Sequence, residues 1–327
     1  MDEIVKANIA ISKSDWDSFE TSWDFLTHPL INRGARLSEA YNEWENTIVE
    51  RFSSLKKNEE HMNELFIDTY NVANEISPVV QDGEVTVHNI DKQRDIRSLI
   101  SYAVGCMFGR FSLDYPGVIY AGGEWDDSKY ISFKPDKDAI IPICDDEYFA
   151  DDIVGHFVKF VEVVYGKESL EDNLSFISAA LGGKGASREV IRNYFINDFY
   201  PDHLKIYQKR PIYWMFDSGK KNGFKCLVYI HRYQSDTIAR VRTDYVHEQQ
   251  SRYRTATADF EQRLSNASAS ERVRLNKQLT TIRDQAEELR LYEEKIHHLA
   301  DQMIPINLDD GVKHNYELFK DVLAKLK

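Results

Sequence analysis

The sequence is poor in the features that would assign it quickly. It has three cysteines in 327 residues, Cys106, Cys144 and Cys226, and no two of them form a C-x-x-C pair. That usage excludes a disulfide-stapled scaffold, argues against a zinc site, and suits a reducing cytoplasm, where the chain is expected to reside. No apolar run approaches the ~18 residues needed to span a bilayer, so no membrane association is expected. The opening stretch MDEIVKANIAISKSDWD lacks a basic segment followed by an apolar one, which argues against a secretory leader. There is no G-x-S-x-G elbow, no H-E-x-x-H helix and no credible Cys/His nucleophile pair. Eight prolines are present and none are adjacent.

What is present is the composition of a globular protein, 42% hydrophobic and 29% charged, long enough for two or three packed units. The net charge of −13 is unevenly spread. Residues 1–183 carry 16 Lys and Arg against 34 Asp and Glu, residues 184–254 carry 14 against 7, and residues 255–327 carry 11 against 13. One basic segment in an acidic chain is more informative than the total.

Hydrophobic periodicity predicts a mainly α fold (α+β), with helical domains, a small β-hairpin and short strands, and a C-terminal antiparallel helical hairpin. Trp16, Phe19, Trp23 and Leu26 recur at helical spacing, with Ser12 and Asp15 arranged like a capping box. Leu37, Tyr41, Trp44, Ile48, Phe52 and Leu55 form a second stripe, which Met62 to Ile76 continues after a polar interruption. A helix from Asp91 contains a G-x-x-x-G, Gly105 and Gly109, read as a site of close helix packing. Residues 113–148, rich in Gly and Pro, read as a long irregular loop with short strands such as 139–143. Three helices follow, around 153–165, 170–181 and 187–199. Ser268 and Glu271 form a second capping box, for a helix with Leu275, Ile282, Leu289, Ile296 and Met303 seven residues apart. A last amphipathic helix is expected over 316–326. These elements divide the chain into a helical segment (1–77), a mixed helical region with the long loop (78–183), a basic helix-plus-hairpin region (184–235), and the helical hairpin with its terminal helix (236–327).

The hairpin in RPIYWMFDSGKKNGFKCLVYI, residues 210–230, carries the main functional signal. Its strands are apolar on both faces, so both faces are expected to be covered. Its tip, Lys220-Lys221-Asn222-Gly223, is suited to sit beside something negative. Around it Lys209, Arg210, Lys220, Lys221, Asn222, Arg232, Arg240, Arg242, Arg252 and Arg254 are interleaved with tyrosines. Lysine and arginine attract phosphates, and asparagine and tyrosine add hydrogen bonds that set register; these ten are the candidate DNA-binding residues. Weaker signals are GGKGAS before Ser187, a helix start that could hold a phosphate, and His297-His298 beside Glu294 and Asp301. Asp114 with Asp127-Ser128-Lys129 matches an acid…acid-x-Lys nuclease pattern only in outline. No metal site is assigned.

Four segments, DIRSLISYAVGCMFGRFSLD, AGGEWDDSKY, SREVIRNYFINDFYPDHLKIYQKRPIYW and TDYVHEQQSRYR, together resemble the C-terminal part of the PglX family. These are the adenine-specific DNA methyltransferases of bacterial BREX phage-defence systems; ISKSDWDSFETSWDF also resembles that family's pattern. The resemblance implies methyl transfer from S-adenosylmethionine to adenine N6 in double-stranded DNA, marking host DNA, and work with other BREX proteins. The family's N-P-P-Y motif needs two adjacent prolines, which this chain lacks, and no glycine-rich cofactor loop is visible. No catalytic residue carries over. The expectation is a DNA-engaging, structural part of such an enzyme, with no cofactor of its own and inactive alone. The alternative is a scaffold that docks the methyltransferase to other BREX components without touching DNA.

Overall fold

The computed structural model of the chain describes residues 1–31 and 34–326, and 59% of the protein is helical. The first helix, α1 (Asp2–Trp16), lies upstream of the predicted one. No helix forms over 17–26, because short polar side chains capture the backbone there. Ser18 Oγ donates to the Ser14 carbonyl, Ser22 Oγ to Asp17 Oδ1, and the Asp24 amide to Ser22 Oγ. Such local bonds compete with the helical ladder. The stripe expected there does not form: Phe19 is half-buried, whereas Trp16, Leu26 and the 101% exposed Trp23 face outward, and Phe25, outside the stripe, is buried instead.

The α2 helix (Leu37–Tyr70) runs unbroken through the polar interruption and ends at Asn71, whose left-handed φ of 55° stops it short of Pro78. Its stripe of Leu37, Tyr41, Trp44, Ile48 and Leu55 is buried. α1 lies antiparallel against it, with Arg51 donating to Ser14 and Ser18 and Asn58 to Asn8. The central helix is α3 (Lys92–Phe108), capped by Asp91, whose carboxylate accepts from the Arg94 amide at 2.9 Å.

The G-x-x-x-G in α3 meets rings, not a neighbouring helix. A Cβ on Gly105 would stand 2.3 Å from the Phe111 ring, and one on Gly109 would stand 2.4 Å from Trp125. Both glycines make room for the long loop that follows. Gly109, at φ 78°, also ends the helix.

Within that loop lies β1 (Ile140–Pro142), followed by α4 (Ile153–Tyr165), α5 (Leu170–Leu181), α6 (Ser187–Asn197) and α7 (Phe199–Ile206). Next come β2 (Tyr213–Asp217) and β3 (Lys225–Tyr229), giving an antiparallel sheet in the order β1-β3-β2. Pro142 sits on the edge strand, where its missing N–H costs no ladder bond. The sheet is covered on both faces, as its apolar pattern requires. Tyr213, Met215, Leu227 and Tyr229 join the core built on α2–α7, while Trp214, Phe216, Cys226 and Val228 join a second core.

The second core is closed by the last third of the chain. α8 (Thr237–Arg240) passes through a π-helical stretch, Val241–Val246, into α9 (His247–Asn266). α10 (Ala269–Ala300) starts at the Ser268–Glu271 capping box and returns antiparallel to α9. Leu275, Leu279, Leu289, Ile296 and Ala300 of its seam are buried, but Met303 is 44% exposed. The terminal helix is shorter than expected: α11 spans Val312–Glu317, and the chain beyond it lies along β2. There Asp217 donates to the Val322 carbonyl and Ala324 to that of Met215, so the open edge of β2 is paired.

Candidate nucleic-acid interface

The hairpin tip lies in the cleft between α9 and α10, and something negative does stand beside it. Glu288 of α10 accepts from Ser218 Oγ at 2.9 Å, from the Lys221 amide at 2.8 Å and from the Gly223 amide at 3.1 Å. Lys221 Nζ pairs with Asp284 at 2.7 Å, and Tyr253 of α9 donates to the Gly223 carbonyl. The approach is close enough to demand glycine. A Cβ on Gly223 would stand 2.7 Å from the Gln285 carbonyl, and one on Gly219, at φ 142°, would stand 2.6 Å from the Glu288 carboxylate. Asn222 supplies a left-handed residue (φ 56°) in the turn, and its carbonyl faces Gln285 Nε2.

The other candidate cations separate into two kinds. Arg232 is part of the frame: its guanidinium donates to the carbonyls of Asp136 (2.8 Å), Lys137 (2.9 Å) and Phe108 (3.4 Å) and lies over Trp125. Arg242 pairs with Glu293 at 2.7 Å, tying the π-helical stretch to α10. Burial disfavours the Glu293 charge, but bonds from Arg242 and His247 hold its carboxyl below the usual range. Arg240 pairs with Asp236, and Arg252 pairs with Glu248 while lying over Phe149. Lys209, Arg210, Lys220 and Arg254 are exposed, and none has a side-chain partner among the described residues. Lys209 and Arg210 stand in a tight turn after α7, in which Gln208 and Lys209 take φ of 50° and 59°.

Arg232 and Arg240 also line a polar recess of about 640 Å³ with Trp125, Lys134, Lys137 and His231. Trp125 stacks on Tyr130 at 5.0 Å between ring centres, and its indole N–H donates to Asp127. This recess joins the long loop to the basic segment, a juxtaposition that no local pattern in the sequence announced.

The weaker candidates serve their own loops. Burial works against the charge of Asp114, but bonds from Ser132 and the Ile131 amide hold its carboxyl below the usual range. Lys129 lies over Tyr115, and Asp127 is taken by Trp125, so the three do not converge. His297 pairs with Asp301 one turn on, and the two histidines are exposed. At the start of α6 the Glu189 carboxylate lies beside Gly185, where a phosphate was expected to fit. Among the described residues no group of three or more His, Cys, Asp or Glu could hold a metal ion.

No protein-family model matches the chain. It is 43% identical over 325 residues to the adenine-specific methyltransferase PglX of Lacticaseibacillus casei (strain Zhang), an alignment covering 96% of this chain and 27% of that protein. It is 36% identical over 356 aligned positions to the adenine-specific methyltransferase BrxX of Escherichia coli O9:H4 (strain HS), covering 100% of this chain and 30% of that protein. The chain thus spans less than a third of the length of either relative. The resemblance read from the sequence holds: across nearly its whole length this chain is similar to a C-terminal part of a PglX-type BREX methyltransferase.

Proposed function

We propose that this chain is the DNA-engaging, structural part of a BREX adenine-N6 methyltransferase, and that methyl transfer from S-adenosylmethionine is performed by other parts of that enzyme. The observation that carries this reading is the end-to-end similarity to adenine-specific methyltransferases combined with the basic balance of residues 184–254. The nine candidate cations then divide their labour. Lys209, Arg210, Lys220 and Arg254, exposed and unpaired among the described residues, meet phosphates. Lys221, Arg232, Arg240, Arg242 and Arg252, each already paired or bonded, hold the surface that presents them.

Binding of the chain to a labelled duplex across a salt series tests the reading. Affinity should fall linearly with log salt with a slope of several ions, and replacing Lys209, Arg210 and Lys220 together by alanine should lower that slope by two to three. No binding at low salt, or an unchanged slope, refutes it.

A second reading is favoured by a separate observation. The fully exposed Trp23 and the exposed Val5, Ile9, Trp16 and Leu26 lie near the start of the acidic half. Val5, Ile9 and Trp16 fall on one face of α1 at helical spacing. An exposed apolar face of this kind suits a protein partner, and in this reading the chain docks the methyltransferase to other BREX components. Capture of purified BREX components that is lost on Ile9→Glu and Trp23→Ala, with no duplex binding, would select it.

A further inference from the structure

Beneath the basic segment lies a cluster of buried hydrogen-bond donors that the readings above do not use. Arg110, in the turn after α3, meets the Tyr229 hydroxyl and lies within electrostatic reach of those of Tyr207 and Tyr213. The rings form a continuous set: Tyr207, Tyr213 and His203 lie 4.6 to 4.9 Å apart through His203, Tyr213 to Tyr229 is 5.5 Å, and Tyr229 to His231 is 5.0 Å. Tyr213 and His203 are each 1% exposed.

Several polar atoms of the cluster are unpaired among the described residues. Tyr229 gives its proton to the Tyr120 carbonyl at 2.7 Å and faces Arg110 Nη1 at 3.5 Å. Among the described residues, Arg110 Nε and the hydroxyls of Tyr207 and Tyr213 are buried without a hydrogen-bond partner. The Tyr207 hydroxyl lies against the guanidinium, but the pair falls outside ordinary hydrogen-bond geometry. His203 adds a fourth donor. Burial holds its pKa near 3, so the ring is neutral at pH 7, and Nε2 accepts from the Ile212 amide at 3.1 Å. Its proton therefore sits on Nδ1, which has no partner among the described residues. No carboxylate lies within 4.0 Å of the Arg110 guanidinium among the described residues; Glu20, whose charge Arg110 favours from farther away, accepts from Ser101 instead, and burial drives it toward its neutral form. Arg110 Nε and three further polar atoms buried without a partner are costly unless something bonds them, and an anion would also answer the guanidinium charge.

We propose that Arg110, Tyr207, Tyr213 and His203 form a site for a phosphate-type oxyanion, either free phosphate or a phosphodiester. A tetrahedral oxyanion brings several strong acceptor oxygens, and a guanidinium with hydroxyl donors matches it. Arg110, Tyr207 and His231 are partly exposed, so the cluster reaches the surface, while its unpaired polar atoms lie just beneath it. Lys209 and Arg210, exposed in the tight turn directly after Tyr207, raise the local concentration of anions at its edge. The oxyanion site stands without the DNA reading, and its test separates the two.

The chain is titrated with inorganic phosphate against sodium chloride of equal ionic strength, following thermal unfolding and heat of binding. Phosphate should raise the unfolding temperature where chloride does not. Tyr207→Phe combined with Tyr213→Phe, which removes two donors and little volume, should weaken phosphate binding at least ten-fold and abolish the shift. In the second arm a labelled duplex is competed with phosphate at constant ionic strength. Competition that disappears in the double variant assigns the site to the DNA backbone. Phosphate binding without competition keeps the site, assigns it to free phosphate and counts against a DNA contact there. Phosphate acting no differently from chloride, as a site that holds only water would give, overturns the proposal, as does a double variant that binds phosphate like the parent.

Discussion

The guanidinium of Arg232 lies 4.2 Å from the centre of the Trp125 ring while its nitrogens donate to three main-chain carbonyls. The pair joins the long loop to the end of β3, two segments about a hundred residues apart in the chain. Flat stacking and a planar fork of donors are properties of arginine that lysine lacks. Arg232→Lys should therefore cost ~1–3 kcal/mol in urea unfolding, because carbonyls are left partly unsatisfied and the stack is lost. The charge is kept, so the salt slope of duplex binding should not change. A variant as stable as the parent would show that neither the stack nor the carbonyl bonds bear on the fold.

Glu288 holds the hairpin tip through three bonds, two of them to backbone amides. Glu288→Ala should cost ~2–4 kcal/mol, with Glu288→Gln between it and the parent, since the amide oxygen can still accept from part of the set. Hydrogen exchange at residues 219–223 is the local readout. Protection of those amides should fall before that of the strands, and equal loss across the hairpin would mean that Glu288 acts on the whole fold.

Gly109 combines a left-handed backbone with a ring directly over it. Gly109→Ala should cost ~2–4 kcal/mol from backbone strain and overpacking together. Trp125 must move, so its fluorescence should shift toward that of an exposed indole. An unshifted spectrum with full stability would show that the loop yields freely.

How far the sequence could be read depends on where each signal comes from. The hairpin was legible because apolar residues on both sides of Tyr213–Asp217 and Lys225–Tyr229 demand two covering layers, and the chain has enough apolar helix to provide them. The helix start at Asp91 and the Ser268–Glu271 capping box were legible because such signals are local, although the same kind of signal at Ser12 and Asp15 lies inside α1. The segment after Trp16 was misread: its aromatic spacing is helical, but Ser18 and Ser22 bond the backbone in turns and Asp17 holds the Ser22 hydroxyl. The π-helical stretch at Val241–Val246 left no trace in the periodicity. The partner of the basic tip was hidden for another reason. Glu288 is one acid among many on α10, and only packing of two elements some seventy residues apart selects it. The same holds for Gly105 and Gly109, whose spacing indicated a close approach without saying that rings of the next loop would make it.

Asp138 receives the Tyr245 hydroxyl from the π-helical stretch at 3.2 Å and lies beside Asp136. Burial, then its hydrogen bond and repulsion with Asp136, push the Asp138 carboxyl up to about 7, from an ordinary value of 3.8. The folded state thus binds this proton more tightly than the unfolded chain does. The stabilisation is fully present below about pH 4 and is lost as pH rises through 7. Asp136 shifts the other way: burial opposes its charge, but His156, Asp138 and the Ala139 amide together outweigh that and hold it below 3.8, so its own contribution is lost only in acid. Between pH 4 and pH 7 the Asp138 effect therefore dominates. Asp138→Asn should flatten the fall in stability across that window and leave the variant more stable than the parent at pH 8. Urea unfolding at pH 5, 6.5 and 8 measures both, and parallel pH profiles for the two proteins would mean that Asp138 titrates like an exposed carboxylate.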